Sequence, residues 1–395
     1  MKGYVFISNS TKPSQTIFES REKIVPSNVS RPCLEAALTL GYDVFFGVNR
    51  KEPEQIDCDL PVKLFDSHTY RSLTAFSDNR IAIKNLTRII KENDVEVIHC
   101  NTPVGGLVGR LCGKKCKVKY VIYTAHGFHF YKGAPLINRL LYKTAERIMA
   151  HWTDVIITMN QEDFESAKKF KLRKGGKVFK VHGVGITLSD YNNLKVDRTE
   201  KRKELGLSET DVVCISAGDL VTRKNYDVAI KAISKLANPN LHYLICGTGP
   251  KKKRLESLAS KLGVSKQIHF LGFRRDVKEL LIISDIFLFS SLQEGLPRSL
   301  MEAMAVGLPV VASRIRGNVD LIENGKGGFL CDSHSSDQFA KAIMNLTNNS
   351  ELCSQMREIN LNTIKDYDIS VVEREIIEIY SDVLNNKKDL AGGNV

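Results

Sequence analysis

Two glutamates, Glu294 and Glu302, frame the segment EGLPRSLME within the longer string SLQEGLPRSLMEAMAVGLPVVAS (291–313). A carboxylate can accept hydrogen bonds from two adjacent hydroxyls at once. Behind Glu294, Gly295 lets the backbone turn or approach a ligand closely. Leu296 follows, and Pro297 suits the first turn of a helix, where its missing N–H costs nothing. The spacing predicts a helix from Arg298 that Gly307 ends. The N–H groups near Arg298 and Ser299 then precede the first intrahelical bond and, with the helix dipole, make an anion site. The string thus offers a phosphate cradle flanked by two hydroxyl acceptors, which matches the sugar hydroxyls, diphosphate and ribose hydroxyls of a nucleotide-sugar. Taken singly, Glu302 could instead pair with Arg298 at i, i+4, and Glu294 could be a solvated turn residue.

Two other strand-to-helix junctions carry reactive side chains. In AGDLVTRKNYDVAI (217–230), Arg223 and Lys224 could neutralise a diphosphate, Arg in a bidentate manner and Lys as a point charge; a solvated basic pair is the plainer alternative. In YTAHGFHFYKG (123–133), His126 precedes a glycine at the end of an apolar run, where it could exchange a proton near neutral pH or serve structurally. Other signals fail. ICGTGP lacks the third glycine of GxGxxG, since Lys252 stands there. Asp57-Cys58-Asp59 and Asp366-Tyr367-Asp368 read as loop or helix carboxylates rather than metal ligands, so no metal and no cofactor is implied.

These junctions need a scaffold of strands and helices. The first half alternates apolar runs (YVFIS, DVFFGVN, VEVIHC, KYVIYTAHG, DVIITMN) with helical patterns at 31–41, 79–93 and 135–152. The second half repeats the plan with DVVCISAGDL, LHYLICGTG, QIHFLGF, DIFLFSS and LPVVAS. Continuous β-branched runs between helices predict parallel sheets buried on both faces. The fold class expected is α/β, two doubly wound, Rossmann-like domains facing a central cleft, with ligands at the carboxyl ends of the strands. The domains expected are 1–190, 191–370, and a C-terminal helix within 371–395 that ends in a frayed polar tail.

The 395 residues carry a net charge of +12, and 43% are apolar. Residues 1–190 hold 29 Lys and Arg against 19 Asp and Glu, whereas residues 191–395 hold 28 against 26. The excess is densest in RLCGKKCKVK (110–119) and KKFKLRKGGKVFK (168–180), which admits nucleic acid or an anionic membrane surface as partners, or simply solvated faces. No run approaches the ~20 apolar residues of a membrane span, and no signal peptide is evident. Nine scattered cysteines with no CxxC pair suit a reducing compartment, so a cytoplasmic location is expected. The helix 135–152 repeats Ile137, Leu140, Leu141, Thr144, Ile148 and Trp152 on one side and Arg139, Lys143 and Arg147 elsewhere. It reads as a core-facing amphipathic helix, with anionic lipid as a second possible contact.

EGLPRSLMEAMAVGLPVVAS resembles the E-x7-E signature of retaining glycosyltransferases of the GT-B fold, family four. AGDLVTRKN, HFLGF, NGKGGFL and YTAHGFH fall in that family's order, and HCNTPVGGLVGRL with YTAHGFHFYKGAP resembles the bacterial exopolysaccharide and capsule enzymes. The resemblance implies that Glu294 contacts the donor sugar, Glu302 the ribose hydroxyls, Arg223 and Lys224 the diphosphate, and backbone near Phe273 and Arg274 the base. Gly295, Leu296, Pro297, Arg298 and Ser299 would complete the donor site, and His126 would stand beside the reacting centre. It further implies a metal-independent, retaining transfer from a UDP-sugar to a lipid-linked saccharide at the inner membrane face, with no nucleic acid involved. Two departures stand out. Asp219 replaces an arginine of many relatives, and the loop SNSTKPSQ after the first strand lacks their paired glycines. The alternatives are a nucleotide-sugar epimerase of the same fold and a non-catalytic basic protein that binds nucleic acid.

Overall fold

Strand β1 (Gly3–Ile7) is buried at all five positions because helices cover both faces of its sheet. The computed structural model describes residues 1–10, 23–50, 52–72, 74–192 and 194–385. The loop 11–15 and the tail beyond 385, whose character the sequence suggested, lie outside these residues. The chain divides into two compact units, Met1–Gly185 with Ile369–Val395, and Ile186–Asp368.

The first unit adds β2 (Asp43–Val48), β3 (Lys63–Asp66), β4 (Val95–Asn101), β5 (Tyr120–Ala125), β6 (Val155–Thr158) and β7 (Lys177–Lys180). They form one sheet in the order β3-β2-β1-β4-β5-β6-β7, every pairing parallel. The order reverses on either side of β1, the doubly wound pattern. Its helices are α1 (Arg31–Thr39), α2 (Phe76–Glu92), α3 (Pro103–Lys115), α4 (Leu136–Ala150) and α5 (Gln161–Ala167). Val5, Ile98, Cys100, Leu86 and Val108 meet in one core cluster.

Two buried features hold this unit together. Arg110 of α3 is fully buried, with Nη1 and Nη2 2.6 and 3.2 Å from the Glu146 carboxylate of α4 and its guanidinium 3.8 Å over the Tyr123 ring. The basic cluster read at 110–119 therefore begins with an interior ion pair, not a solvated face. The second feature involves the chain's last helix (Ile369–Asn385). Its Tyr380 hydroxyl lies 2.6 Å from that of Tyr4 and 2.5 Å from His99 Nδ1. The C-terminal helix therefore belongs to the first unit.

The second unit repeats the plan with β8 (Val212–Ala217), β9 (Leu241–Cys246), β10 (Ile268–Gly272), β11 (Ile286–Phe289), β12 (Val310–Ser313) and β13 (Gly328–Cys331), ordered β10-β9-β8-β11-β12-β13 and all parallel. Its longer helices include Tyr226–Lys235, Lys252–Lys261, Arg298–Ala305, Ser336–Thr347 and Ser350–Thr363. Alternate residues supply its two faces. Val213, Ile215, Phe287 and Phe289 join one core cluster, and Cys214, Ile286 and Leu288 the other. Each fully buried aliphatic or aromatic side chain stabilises the fold by about 1.5–3 kcal/mol, so the central strands are the best anchored positions from which to hang a site. The units divide between Gly185 and Ile186 and between Asp368 and Ile369, a few residues earlier than the expected boundaries.

The sequence expectation fails for α4. Its apolar side does not face the core: Ile137 is 81% exposed, Leu136 78%, Leu140 73% and Leu141 62%. The helix does have the apolar stripe its spacing predicts. That stripe points to solvent because the opposite side, with buried Met149 and Ala150 and the Glu146 ion pair, meets the unit.

Candidate active site

In the second unit the strand order reverses between β8 and β11, and both carry charged residues just beyond their carboxyl ends. After β8 the chain makes a single 3-10 turn (Thr222–Lys224) and then places Asn225 in the left-handed region at φ 53°. Asn225 tolerates that conformation because its side chain finds backbone partners, donating to the carbonyls of Ser290 and Ser333 at 3.2 and 2.7 Å. Ser290, just past β11, donates to the carbonyls of Lys224 or Asn225, and the Leu292 N–H donates to the Arg223 carbonyl at 2.7 Å. The two loops are thus tied by uncharged hydrogen bonds before any side-chain charge is considered.

On this base Lys224 Nζ lies 2.7 Å, and Arg223 Nη1 3.0 Å, from the same oxygen, Oε1 of Glu294. Lys224 is buried, with its ammonium 4.6 Å from the Phe289 ring centroid. Burial lowers its pKa, and the charge and hydrogen bond of Glu294 oppose that shift. Arg223 is exposed, so its pairing with Glu294 contributes less. Glu294 is therefore the anchor of a cation pair and not a solvated turn residue.

The loop bearing Glu294 is held from a third side. Buried Arg316 donates through Nε to the Glu294 carbonyl at 2.9 Å. Gly317 follows at φ 80°, and a Cβ there would lie 2.4 Å from the Gly295 carbonyl oxygen, so only glycine fits without movement. Leu296 packs against the core cluster, and Pro297 caps the helix Arg298–Ala305. The Leu300 and Met301 N–H groups bond back to the Pro297 carbonyl, which leaves those of Arg298 and Ser299 ahead of the intrahelical ladder. Gly307 follows the helix at φ 77°. Glu302 Oε1 receives Arg298 Nε at 2.9 Å, the i, i+4 pair that the spacing allowed. It also neighbours Tyr191, whose pKa is raised mainly by burial and further by the Glu302 charge.

Phe273 and Arg274 follow β10. Phe273 is 75% exposed, and Arg274 is engaged by Asp276 at 2.7 and 2.5 Å, which holds that carboxyl well below the usual carboxylate range. Beside them Gly247, at φ 151°, donates to the Gly272 carbonyl at 2.7 Å. A Cβ on Gly247 would fall 2.0 Å from the Gly218 carbonyl oxygen. The glycines of ICGTGP thus serve close contact between strand ends.

His126 belongs to the first unit, just after β5. The residue is partly exposed, but Nε2 is buried with no hydrogen-bond partner, and burial pushes its pKa down to about 4. The imidazole is neutral at physiological pH, with one nitrogen uncommitted. Among the described residues no group of three or more His, Cys, Asp or Glu is placed to hold a metal ion.

Spacing placed Arg223, Lys224, Glu294 and Glu302 at strand-to-helix junctions, but it gave no sign of Arg316, Asn225 or Tyr191. An Asn that directly follows a basic pair and precedes a helix was a signal for a left-handed cap. Arg316 had none, because it acts on a backbone carbonyl 22 residues away.

Two doubly wound parallel sheets, one carrying cations, a helix N-terminus and carboxylates at its switch point, define the GT-B class of glycosyltransferases. The chain belongs to the glycosyltransferase group 1 family. The profile described as "Glycosyl transferases group 1" matches residues 197–362, and that described as "Glycosyl transferase 4-like" matches residues 30–160. The chain is 33% identical over 312 residues to the putative glycosyltransferase EpsD of Bacillus subtilis, covering 78% of this chain and 82% of that protein. It is 27% identical over 322 residues to the UDP-Gal:alpha-D-GlcNAc-diphosphoundecaprenol alpha-1,3-galactosyltransferase of Escherichia coli, covering 80% and 83%. Among solved structures it resembles Anabaena Alr3699/HepE in complex with UDP, at TM-score 0.75 and 18% identity, over 97% of this chain and 100% of that one.

Proposed function

We propose that this glycosyltransferase moves a hexose or N-acetylhexosamine from a UDP-sugar to a lipid-linked saccharide at the cytoplasmic membrane face, in exopolysaccharide, capsule or O-antigen assembly. The observation that carries the proposal is the shared Glu294 Oε1, held by Lys224 and Arg223 across the switch point, beside the N-terminus of the helix Arg298–Ala305. In open α/β sheets ligands bind at that point. The lipid-linked acceptor rests on the names of relatives such as the E. coli galactosyltransferase.

In the proposed reaction the donor diphosphate lies against the helix N-terminus near Arg298 and Ser299, within reach of Lys224 and Arg223. The bond from the anomeric carbon to the diphosphate oxygen breaks, and its electron pair goes to the leaving diphosphate. The acceptor hydroxyl oxygen forms the new bond on the same face, and its proton passes to the departing diphosphate, so the anomeric configuration is retained. Lys224, Arg223 and the helix dipole stabilise the charge growing on that oxygen, and no step calls for a metal. Glu302, with one oxygen engaged by Arg298, offers the other to the ribose hydroxyls; Glu294 accepts from sugar hydroxyls. His126 contributes a neutral imidazole with a free nitrogen. Asp219 cannot bind phosphate, and Arg223 takes the place of the arginine found there in many relatives.

The test is titration with UDP-, GDP- and ADP-sugars, followed by identification of the product lipid. UDP-sugar should bind most tightly, and Glu302→Ala should weaken UDP about tenfold, ~1.4 kcal/mol. Preference for another nucleotide would overturn the donor assignment. Turnover of UDP-sugar into a second nucleotide-sugar without an acceptor would favour epimerisation.

A further inference from the structure

We propose that the outward face of α4 is a docking surface for an anionic lipid bilayer. This deepens the membrane part of the function above by naming the surface, and it does not depend on the donor site.

The geometry of α4 is the reverse of an ordinary surface helix. At ~100° per residue, Leu136, Ile137, Leu140, Leu141, Thr144 and Ile148 fall within an arc of about 140°. All six are exposed, Ile148 at 52%. The inner side is fixed by the Arg110–Glu146 pair and by buried Met149 and Ala150. Every residue from Pro135 to Leu141 is exposed, so the first turns of the helix stand clear of the unit. A soluble protein seldom offers water so many adjacent large aliphatics unless they meet a partner.

Charge identifies the partner. Arg139, Lys143 and Arg147 recur at i, i+4 along one border of the apolar arc, and exposed Lys132 precedes the helix. Glu146, the helix's one acid, is taken up by Arg110. The loop before α4 is packed through Phe128 and Phe130 onto Phe170, which is flanked by exposed Lys168, Lys169 and Lys171. An apolar face bordered by cations, with no uncommitted carboxylate on the helix, suits acyl chains beneath acidic headgroups, where long basic side chains reach up to the phosphates. A second copy of this chain would set like charges against each other.

The experiment is co-sedimentation of the full chain, without substrate, with phosphatidylethanolamine/phosphatidylglycerol vesicles and with phosphatidylcholine vesicles. The wild type should partition at least tenfold more strongly to the phosphatidylglycerol vesicles, and less so at high salt. The combined change Leu136→Ser, Ile137→Ser, Leu140→Ser and Leu141→Ser should reduce partitioning at least tenfold. Arg139→Gln with Lys143→Gln and Arg147→Gln should abolish the lipid preference. Both variants should keep the wild-type melting temperature and UDP affinity, because the altered side chains lie at the surface of the first unit. Unchanged vesicle binding by the serine variant would overturn the proposal, as would a wild-type dimer that the same variant dissociates. A wild type that binds these vesicles but not UDP would uphold this surface while removing the donor assignment.

Discussion

Lys224 and Glu294, 70 residues apart in sequence, meet at 2.7 Å across the reversal point of the second sheet. Each arrives from a strand on its own side of that point, so strand order rather than sequence proximity makes the pair. The contact offsets part of the cost of burying the ammonium. It also means that a diphosphate reaching this site must share the cation with a carboxylate. Lys224→Ala is expected to lower kcat by about 10²–10³, the usual cost of removing one preorganised stabiliser of developing negative charge. Lys224→Arg should not restore it, since a longer, planar guanidinium does not reproduce the point-charge contact that the buried ammonium makes with Glu294. Glu294→Gln should tighten UDP binding while lowering kcat. Steady-state kinetics with calorimetric UDP titration separates the two effects, and a Glu294→Gln enzyme with weaker UDP binding would contradict the competition described.

Arg316 acts at one remove. It holds the Glu294 carbonyl, not its carboxylate. Arg316→Ala should leave the Lys224–Glu294 contact able to form but loosen the backbone that aims it. A loss of about tenfold in kcat/KM is expected, consistent with ~1.5 kcal/mol for one hydrogen bond to a charged group. Arg316→Lys should recover part of it, and unaltered kcat/KM in both variants would show that the loop holds its own shape.

The central strands could be read from sequence because burial on both faces writes them as unbroken apolar runs, such as IFLF at 286–289 and YVFI at 4–7. Three of the four outermost strands could not; β10, legible as QIHFLGF, was the exception. Lys63–Asp66 and Lys177–Lys180 are four residues long with polar ends, as edge strands tend to be. Gly328–Cys331 was masked by the glycines that precede it. The helix stop at Gly307 was visible because left-handed backbone favours glycine. In α4 the periodicity showed that an apolar face exists but not which way the fold turns it. Arg110 illustrates the same limit for charge: within RLCGKKCKVK nothing distinguishes the one buried cation from its solvated neighbours. At the site, residue types and their place after strands were legible. The pairing of Lys224 with Glu294 was not, because it depends on which strands are neighbours.

Tyr380 gives the C-terminal helix a structural role that can be measured. Its hydroxyl bridges Tyr4 and His99 in a region closed to water. Tyr380→Phe keeps the ring packing and removes only the bridge, leaving a phenol and an imidazole nitrogen without that partner. A destabilisation of about 1–3 kcal/mol is expected. Trp152, the chain's single tryptophan, lies in the first unit, so its fluorescence during urea unfolding reports on the part affected. An unchanged urea midpoint would mean that the bridge contributes nothing.

His99 and His126 make the first unit sensitive to acid. Burial pushes His99 down to about 3, with the nearby His126 as the second cause, and burial pushes His126 down to about 4. An unfolded histidine titrates near 6.5. Between these values the unfolded chain binds protons that the folded one refuses, so stability is complete above about pH 6.5 and falls as pH drops toward 4 and then 3. At about 1.4 kcal/mol per pH unit, lowering the pH from 6.5 to 5 should cost roughly 2 kcal/mol through His99, and less through His126, a partly exposed residue. His99→Gln removes one titrating group, whatever it does to absolute stability. The slope of unfolding free energy against pH, followed through Trp152 over pH 5–6.5, should therefore fall by about one proton relative to wild type. Identical slopes would show that His99 accepts its proton in the folded state, which its complete burial opposes.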